Sequence, residues 1–197
     1  MKSIGLNKYD GRYLWFSDFN ENGIKKVFHY NLMKGETGTF TYGNCFDFLS
    51  TYTNTASIKN HRTDKSTTLH LFVRTEGWRK SFEGEEFTDK TSHWGKSECR
   101  KTVTKLLNKY IPIMKSWWEN NSTIEQCVNE ANYQIEKGGG YKVNYPKANY
   151  VKAFLLAKLG DKEIAKQILE EEFEPLIKWK PKFEALKMKV IEKIETF

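Results

Sequence analysis

Near residue 96 the spacing of apolar side chains changes from every second position to every third or fourth, which restricts the chain to strands first and helices after. Before that point, "GRYLWFS" (11–17) sets Tyr13 and Trp15 on one side and Leu14 and Phe16 on the other, ahead of the turn-forming "DFNENG". "IKKVFHYNLM" (24–33) places Ile24, Lys26, Phe28, Tyr30 and Leu32 on one face, where only the lysine is out of character. "KGETG" closes a hairpin into "TFTYGNCFDFLS" (39–50), whose Phe40, Tyr42, Phe46 and Phe48 stay in phase across Asn44. Gly43 inside that run marks a bulge or a close backbone approach. After the polar stretch 51–65, a strand over 66–74 sets Leu69, Leu71 and Val73 against Thr68, His70 and Phe72. Short connections make an antiparallel meander of about four strands the economical arrangement.

From Ser97 the positions Cys99, Val103, Leu106, Tyr110, Ile113 or Met114, and Trp117 draw one apolar stripe on a helix. Pro112 falls inside it and is expected to kink or break the helix near Tyr110, because proline lacks a backbone donor and crowds the preceding turn. Ser122 with Glu125 has the capping-box spacing and opens a helix carrying Ile124, Val128, Ala131 and Ile135. "KGGGYKVNY" ends it. Pro146 suits the first turn of the next helix, through "KANYVKAFLLAKL", and "GD" at 160–161 stops that helix and caps another with Ile164, Ala165, Ile168 and Leu169 on one side. Residues 146–172 therefore form an antiparallel helical hairpin similar to one tetratricopeptide-type unit, and a single copy cannot build a stacked array. After "EEEFEPLIKWKP" a last amphipathic helix uses Phe183, Leu186, Val190 and Ile194. The expected fold is α+β: a sheet region over 1–95 and a helical region over 96–197, packed as one unit or as two closely associated subdomains.

Aromatic residues make up 15% of the chain against 39% hydrophobic residues in all, so the apolar mass sits in large rings. That composition is globular, not disordered. The net charge of +7 suggests an acidic partner. Residues 1–100 carry 15 basic and 12 acidic groups and the remainder 17 and 13, so the excess is spread evenly, unlike the single basic face of most nucleic-acid binders. Cys45, Cys99 and Cys127 are distant from one another and show no C-x-x-C spacing, which reads as reduced thiols in the cytoplasm. No segment has signal-peptide or membrane-span character, so no membrane association is expected.

"IKNHRTDKSTTLHLF" (58–72) holds the densest group of reactive side chains. Arg62 and Lys65 with the Ser66 and Thr67 hydroxyls can grip an anion, and His61 titrates near neutrality. Against this, a polar connection entering a strand carries such residues by default, and no paired base or nucleophile accompanies them. His29, His61, His70 and His93, with Cys45 and Asp47, lack metal-ligand spacing, and His29 and His70 read as outward residues on adjacent strands. No metal or cofactor is implied. Gly138–Gly140 follow a helix instead of a strand, which suits a joint better than a phosphate loop. Trp78, Trp94, Trp117, Trp118 and Trp179 lie near element boundaries, and of the adjacent Trp117 and Trp118 at least one must leave the buried stripe, as a recognition residue. The acidic run Glu170–Glu172 with Glu174, followed by Lys178, Lys180 and Lys182, reads as a solvated helix end and loop.

The succession "YGNCFDFLSTYTN" (42–54), "HRTDKSTTLHLF" (61–72) and a helical second half resembles an uncharacterised bacterial domain-of-unknown-function family. In that family an aromatic strand ending in G-x-x-x-x-F is followed by a basic or histidine-bearing turn into the next strand. The resemblance spans residues 11–120 and implies no catalytic residue. A non-enzymatic protein-interaction module, adaptor-like or toxin-neutralising, is the expectation, with contacts at Trp117 or Trp118 and along His61, Arg62, Lys65 and Ser66. The alternative is a phosphate-handling or nucleic-acid-acting protein that uses the His61, Arg62 and Lys65 turn.

Overall fold

The computed structural model describes residues 1–33, 37–75 and 89–197; Trp78 and the turn residues 34–36 lie outside them. After a single 3-10 turn at Lys2–Ile4, the described residues form eight strands: β1 (Lys8–Tyr9), β2 (Leu14–Phe16), β3 (Ile24–Met33), β4 (Thr37–Phe46), β5 (Ser50–Tyr52), β6 (Ile58–Asn60), β7 (Leu71–Arg74) and β8 (Thr91–Ser92). The main sheet runs β1-β2-β3-β4-β7, all pairs antiparallel, with β8 on β4 beside Thr37 and Gly38. β5 and β6 form a separate hairpin within the stretch expected to be irregular. Five α-helices follow among the described residues, α1 (Lys96–Glu119), α2 (Ile124–Lys137), α3 (Ala148–Leu159), α4 (Lys162–Trp179) and α5 (Phe183–Glu195), with a 3-10 helix at Gly139–Val143 between α2 and α3.

The expected α+β class with an antiparallel sheet and a helix hairpin is what the chain forms, and β3 occupies the expected residues 24–33. The other strands are trimmed. β4 stops at Phe46, so Phe48 packs in the core from outside it, and the strand expected over 66–74 is confined to Leu71–Arg74. Gly43 is a point of close approach. A methyl group there would overlap the Leu71 carbonyl oxygen and the Phe72 Cβ, and would stand 2.6 Å from the Phe72 Cα.

The sheet buries one face under α1. Phe28, Tyr30, Phe40 and Tyr42 meet Leu106, Tyr110, Met114 and Trp118, which recur every fourth residue along α1. Met114 is fully buried and Ile113 is 45% exposed, which settles the open choice between them. α1 runs without a break through Pro112. Pro112 and Asn108, whose carbonyl loses its partner, both face water, while the buried stripe holds the two halves of the helix to the sheet. Pro175 sits on the exposed side of α4 in the same way, so the acidic run lies inside that helix and not at its end.

The capping box of α2 is Thr123 with Gln126, one residue beyond the expected pair, and the buried face is accordingly Ile124, Cys127, Ala131 and Gln134. α3 and α4 make the hairpin around Gly160, whose φ of 99° ends α3 in the left-handed region. Ala165, Leu169 and Phe173 of α4 face inward, and Ile164 is 54% exposed. Phe183, Leu186, Val190 and Ile194 of α5 are buried as expected. A second cluster joins the two regions: Ile24, Phe46 and Leu71 from the sheet pack with residues of α2, α3, α4 and α5. The side-chain amides of Gln134 and Asn144 both donate to the Phe72 carbonyl, at 3.2 and 3.3 Å, so α2 and the segment after the glycines are fastened along β7.

Candidate functional site

The residues from Ile58 to His70 leave β6, make a tight turn and return toward β7. Thr63 and Ser66 close the turn: the Ser66 N–H donates to the Thr63 carbonyl at 2.8 Å, and the Thr63 N–H donates to Ser66 Oγ at 3.2 Å. Beneath it lies Lys25, buried on the sheet face opposite α1 beside Phe16, Phe19 and Cys45. Its ammonium donates to the carbonyls of Asp64 and Ser66 at 2.9 and 3.0 Å and stands 4.1 Å from the centre of the Phe19 ring. A buried ammonium with these partners fixes the turn in place.

His61 and His70 converge under the turn, with ring centres 4.8 Å apart and planes at 68°. Both are buried, at 2% and 1% exposure, which corrects the outward placement expected for His70. His61 Nε2 lies 2.8 Å from Thr51 Oγ1 and its Nδ1 lies 3.0 Å from Thr68 Oγ1, so both nitrogens are engaged. His70 Nδ1 accepts from the Phe46 N–H at 2.9 Å, which puts the proton of the neutral ring on Nε2, and the ring stacks on Phe46. Burial, with Lys59 and Lys193 adding to it, pushes His61 down to about 4. Burial also holds His70 well below its ordinary value, reinforced by His61 and Lys193. His61, enclosed, neutral and bonded at both nitrogens, has no free position for a substrate proton, whereas the buried Nε2 of His70 has no hydrogen-bond partner.

Acid should therefore loosen this region. Both histidines bind protons more weakly folded than unfolded, so their contribution to stability is complete above about pH 6.5 and declines as pH falls, for His61 down to about 4. Urea midpoints measured from pH 7 to pH 4 should fall, with a slope of up to about 1.4 kcal/mol per pH unit for each histidine. His61→Gln should flatten that slope; an unchanged slope would remove His61 from the account.

Over the pair lies a rim of cations. Lys59 at the end of β6 and Arg62 on the turn are exposed, and Lys193 reaches over from α5 to donate to Asn60 Oδ1 at 2.9 Å. Burial pushes Lys193 down to about 8, with Arg62 contributing. Lys59 and Lys193 act on His61, Lys193 acts on His70, and Arg62 acts on Lys193, while the Asp64 carboxylate is exposed on the same turn. The rim thus sets several cations over a base pinned by Lys25 and by the His61 hydrogen bonds, an arrangement able to hold an anion.

The remaining candidates are dispersed. Lys65 is exposed on the same turn, and Ser66 is half-buried with its hydroxyl in the turn. Trp118 is 1% exposed and donates its indole N–H to the Gly43 carbonyl at 3.0 Å, so it is a core residue and not a contact. Trp117 is partly buried between the two large clusters, its ring against Tyr42, so neither tryptophan is a freely projecting recognition residue. The i to i+4 stripe runs through Trp118, and Trp117 follows it around the flank. His93 bonds Tyr30 at 2.5 Å, apart from the other histidines, and no group of three or more metal-ligating side chains is assembled among the described residues. Burial pushes the Cys45 and Cys127 thiols up to about 12, which disqualifies them as nucleophiles at neutral pH. Lys193, 132 positions from His61, was invisible to a reading of local sequence.

No protein-family model, curated protein or solved structure matches the chain.

Proposed function

We propose that this protein is a cytoplasmic, non-enzymatic interaction module that docks an acidic protein surface on the rim formed by Lys59, Arg62 and Lys193, with Lys65 on the same turn. The observation that carries this reading is the convergence of cations from the β6 turn and α5 on a rigid base, with Lys59 and Lys193 acting on the histidine pair and Arg62 on Lys193. The engaged His61 and the high-pKa thiols support binding over catalysis. An adaptor or toxin-neutralising role fits this chemistry, since complementary charge selects partners and speeds encounter. The phosphate-binding alternative uses the same cations. An acidic protein surface is favoured because three or four point charges make a small patch, whereas nucleic acid is held along an extended stripe.

Titration of the full chain with poly-L-glutamate and with single-stranded DNA of matched charge, over a range of salt, separates the two. Binding to the polypeptide that weakens with salt and falls about tenfold or more in the double variant Arg62→Ala, Lys193→Ala is the expected result. Tighter binding to the DNA, lost in the same variant, would transfer the rim to nucleic acid. Equal binding by the variant and the parent would remove the rim from any function.

A further inference from the structure

The cations of the rim carry no counter-charge: among the described residues, Lys59, Arg62 and Lys193 form no ion pair with a carboxylate. The Asp64 carboxylate acts on Lys8 and Lys25, whereas the charged neighbour acting on Lys193 is Arg62. Lys193 also differs from the other two in exposure. Lys59 and Arg62 stand in solvent, while Lys193 is half-buried in the last turn of α5 beside the buried Ile194. Its amine is held at two points, 2.9 Å from Asn60 Oδ1 at the end of β6 and 5.9 Å from the centre of the Phe154 ring on α3.

A lysine amine attacks an electrophile only when it is uncharged, and loss of water contact together with a neighbouring cation favours that form. Lys193 has both: its stem is packed into the α3–α5 face, and Arg62 acts on its charge. With the group pushed down to about 8, about a tenth of the amine is neutral at pH 7, against about one part in 2,500 for an ordinary lysine. The Asn60 hydrogen bond fixes the nitrogen where a free surface lysine would swing. Unpaired cations beside a nucleophile also choose its reaction partner. They concentrate electrophiles that carry negative charge, and a guanidinium such as that of Arg62 offers phosphate two parallel N–H donors.

We propose that Lys193 is an acylation site served by small acyl phosphates, with Arg62 holding the phosphate while the amine attacks the acyl carbon. The neutral Nζ gives its electron pair to that carbon and a C–N bond forms. The bond from the acyl carbon to the phosphate oxygen breaks, inorganic phosphate leaves with the electron pair, and the departing phosphate takes up the proton lost by the amine. No oxidant or reductant enters. The amide produced is uncharged, so acylation removes one cation from the rim. That consequence for partners rests on the docking role proposed above; the chemistry at Lys193 does not.

The test treats the full chain at neutral pH with acetyl phosphate and, in parallel, with the uncharged acetyl ester of N-hydroxysuccinimide, and follows acetylation at each lysine by peptide mass spectrometry. With acetyl phosphate, Lys193 should react about tenfold or more faster than Lys137 and Lys182, which are exposed, after allowing for the weaker nucleophilicity of a less basic amine. Arg62→Ala should slow Lys193 about fivefold or more with acetyl phosphate and about twofold or less with the uncharged ester, since only the phosphate needs the guanidinium. A rate at Lys193 no greater than at Lys137 and Lys182 overturns the site. Equal slowing by Arg62→Ala with both reagents overturns the choice of acyl phosphates. Failure of poly-L-glutamate to bind would remove the docking reading and leave these rates as they are.

Discussion

Gly43→Ala is expected to destabilise the chain by about 3 kcal/mol or more, at the upper end of what overpacking costs. The added methyl group meets backbone, the Leu71 carbonyl and the Phe72 Cα, and not the end of a pliable side chain. Neither strand can retreat. β4 is held on its far side by the ten-residue pairing with β3, and the Gly43 carbonyl is held by the Trp118 indole. β7 is fastened from outside by Gln134 and Asn144. The strain should therefore open the β4–β7 ladder, seen as faster amide exchange over Leu71–Arg74 together with a lowered urea midpoint. A midpoint within experimental error of the parent's would show that the two strands can separate without cost.

Trp118→Ala should be comparably damaging, about 3–5 kcal/mol, because it empties the largest fully buried side chain from the junction of α1 with the sheet. It also leaves the Gly43 carbonyl without its donor. Trp118→Phe separates the two effects: the ring volume is largely retained, the hydrogen bond is not, and the loss should shrink to about 1–2 kcal/mol. Ile113→Ala, five residues earlier on the exposed side, should change stability by no more than about 0.5 kcal/mol. Denaturant unfolding of the three variants measures all of this. Equal losses at Ile113 and Trp118 would contradict the stripe that joins Leu106 to Trp118.

Long, strictly periodic segments were legible from sequence. β3 and α5 could be read because ten residues of alternation, or four apolar residues at helical steps, leave one sensible register. β1, β5, β6 and β8 are two or three residues long and contain no period to detect; they exist because neighbours supply their hydrogen bonds. Pro112 misled because it was read without its face, and on the solvent side of a packed helix one missing hydrogen bond is replaced by water. The turn from His61 to Ser66 was rightly singled out as dense in polar groups, yet its character depends on Lys25, Thr51, His70 and Lys193, all brought in by tertiary folding. Lys26 and Asn44 each interrupt an apolar face in the sequence, and the β3–β4 register sets them opposite each other.

The two amides on the Phe72 carbonyl have a meaning for the behaviour of the chain in a crowded solution. An uncovered edge strand is a template on which another molecule can lay a strand of its own, the first step of sheet-mediated aggregation. Along β7 that template is already occupied, because Gln134 and Asn144 use the acceptor an incoming strand would need. At the opposite edge β1 offers only two residues. The helical half thus serves as a guard on the β7 edge of the sheet.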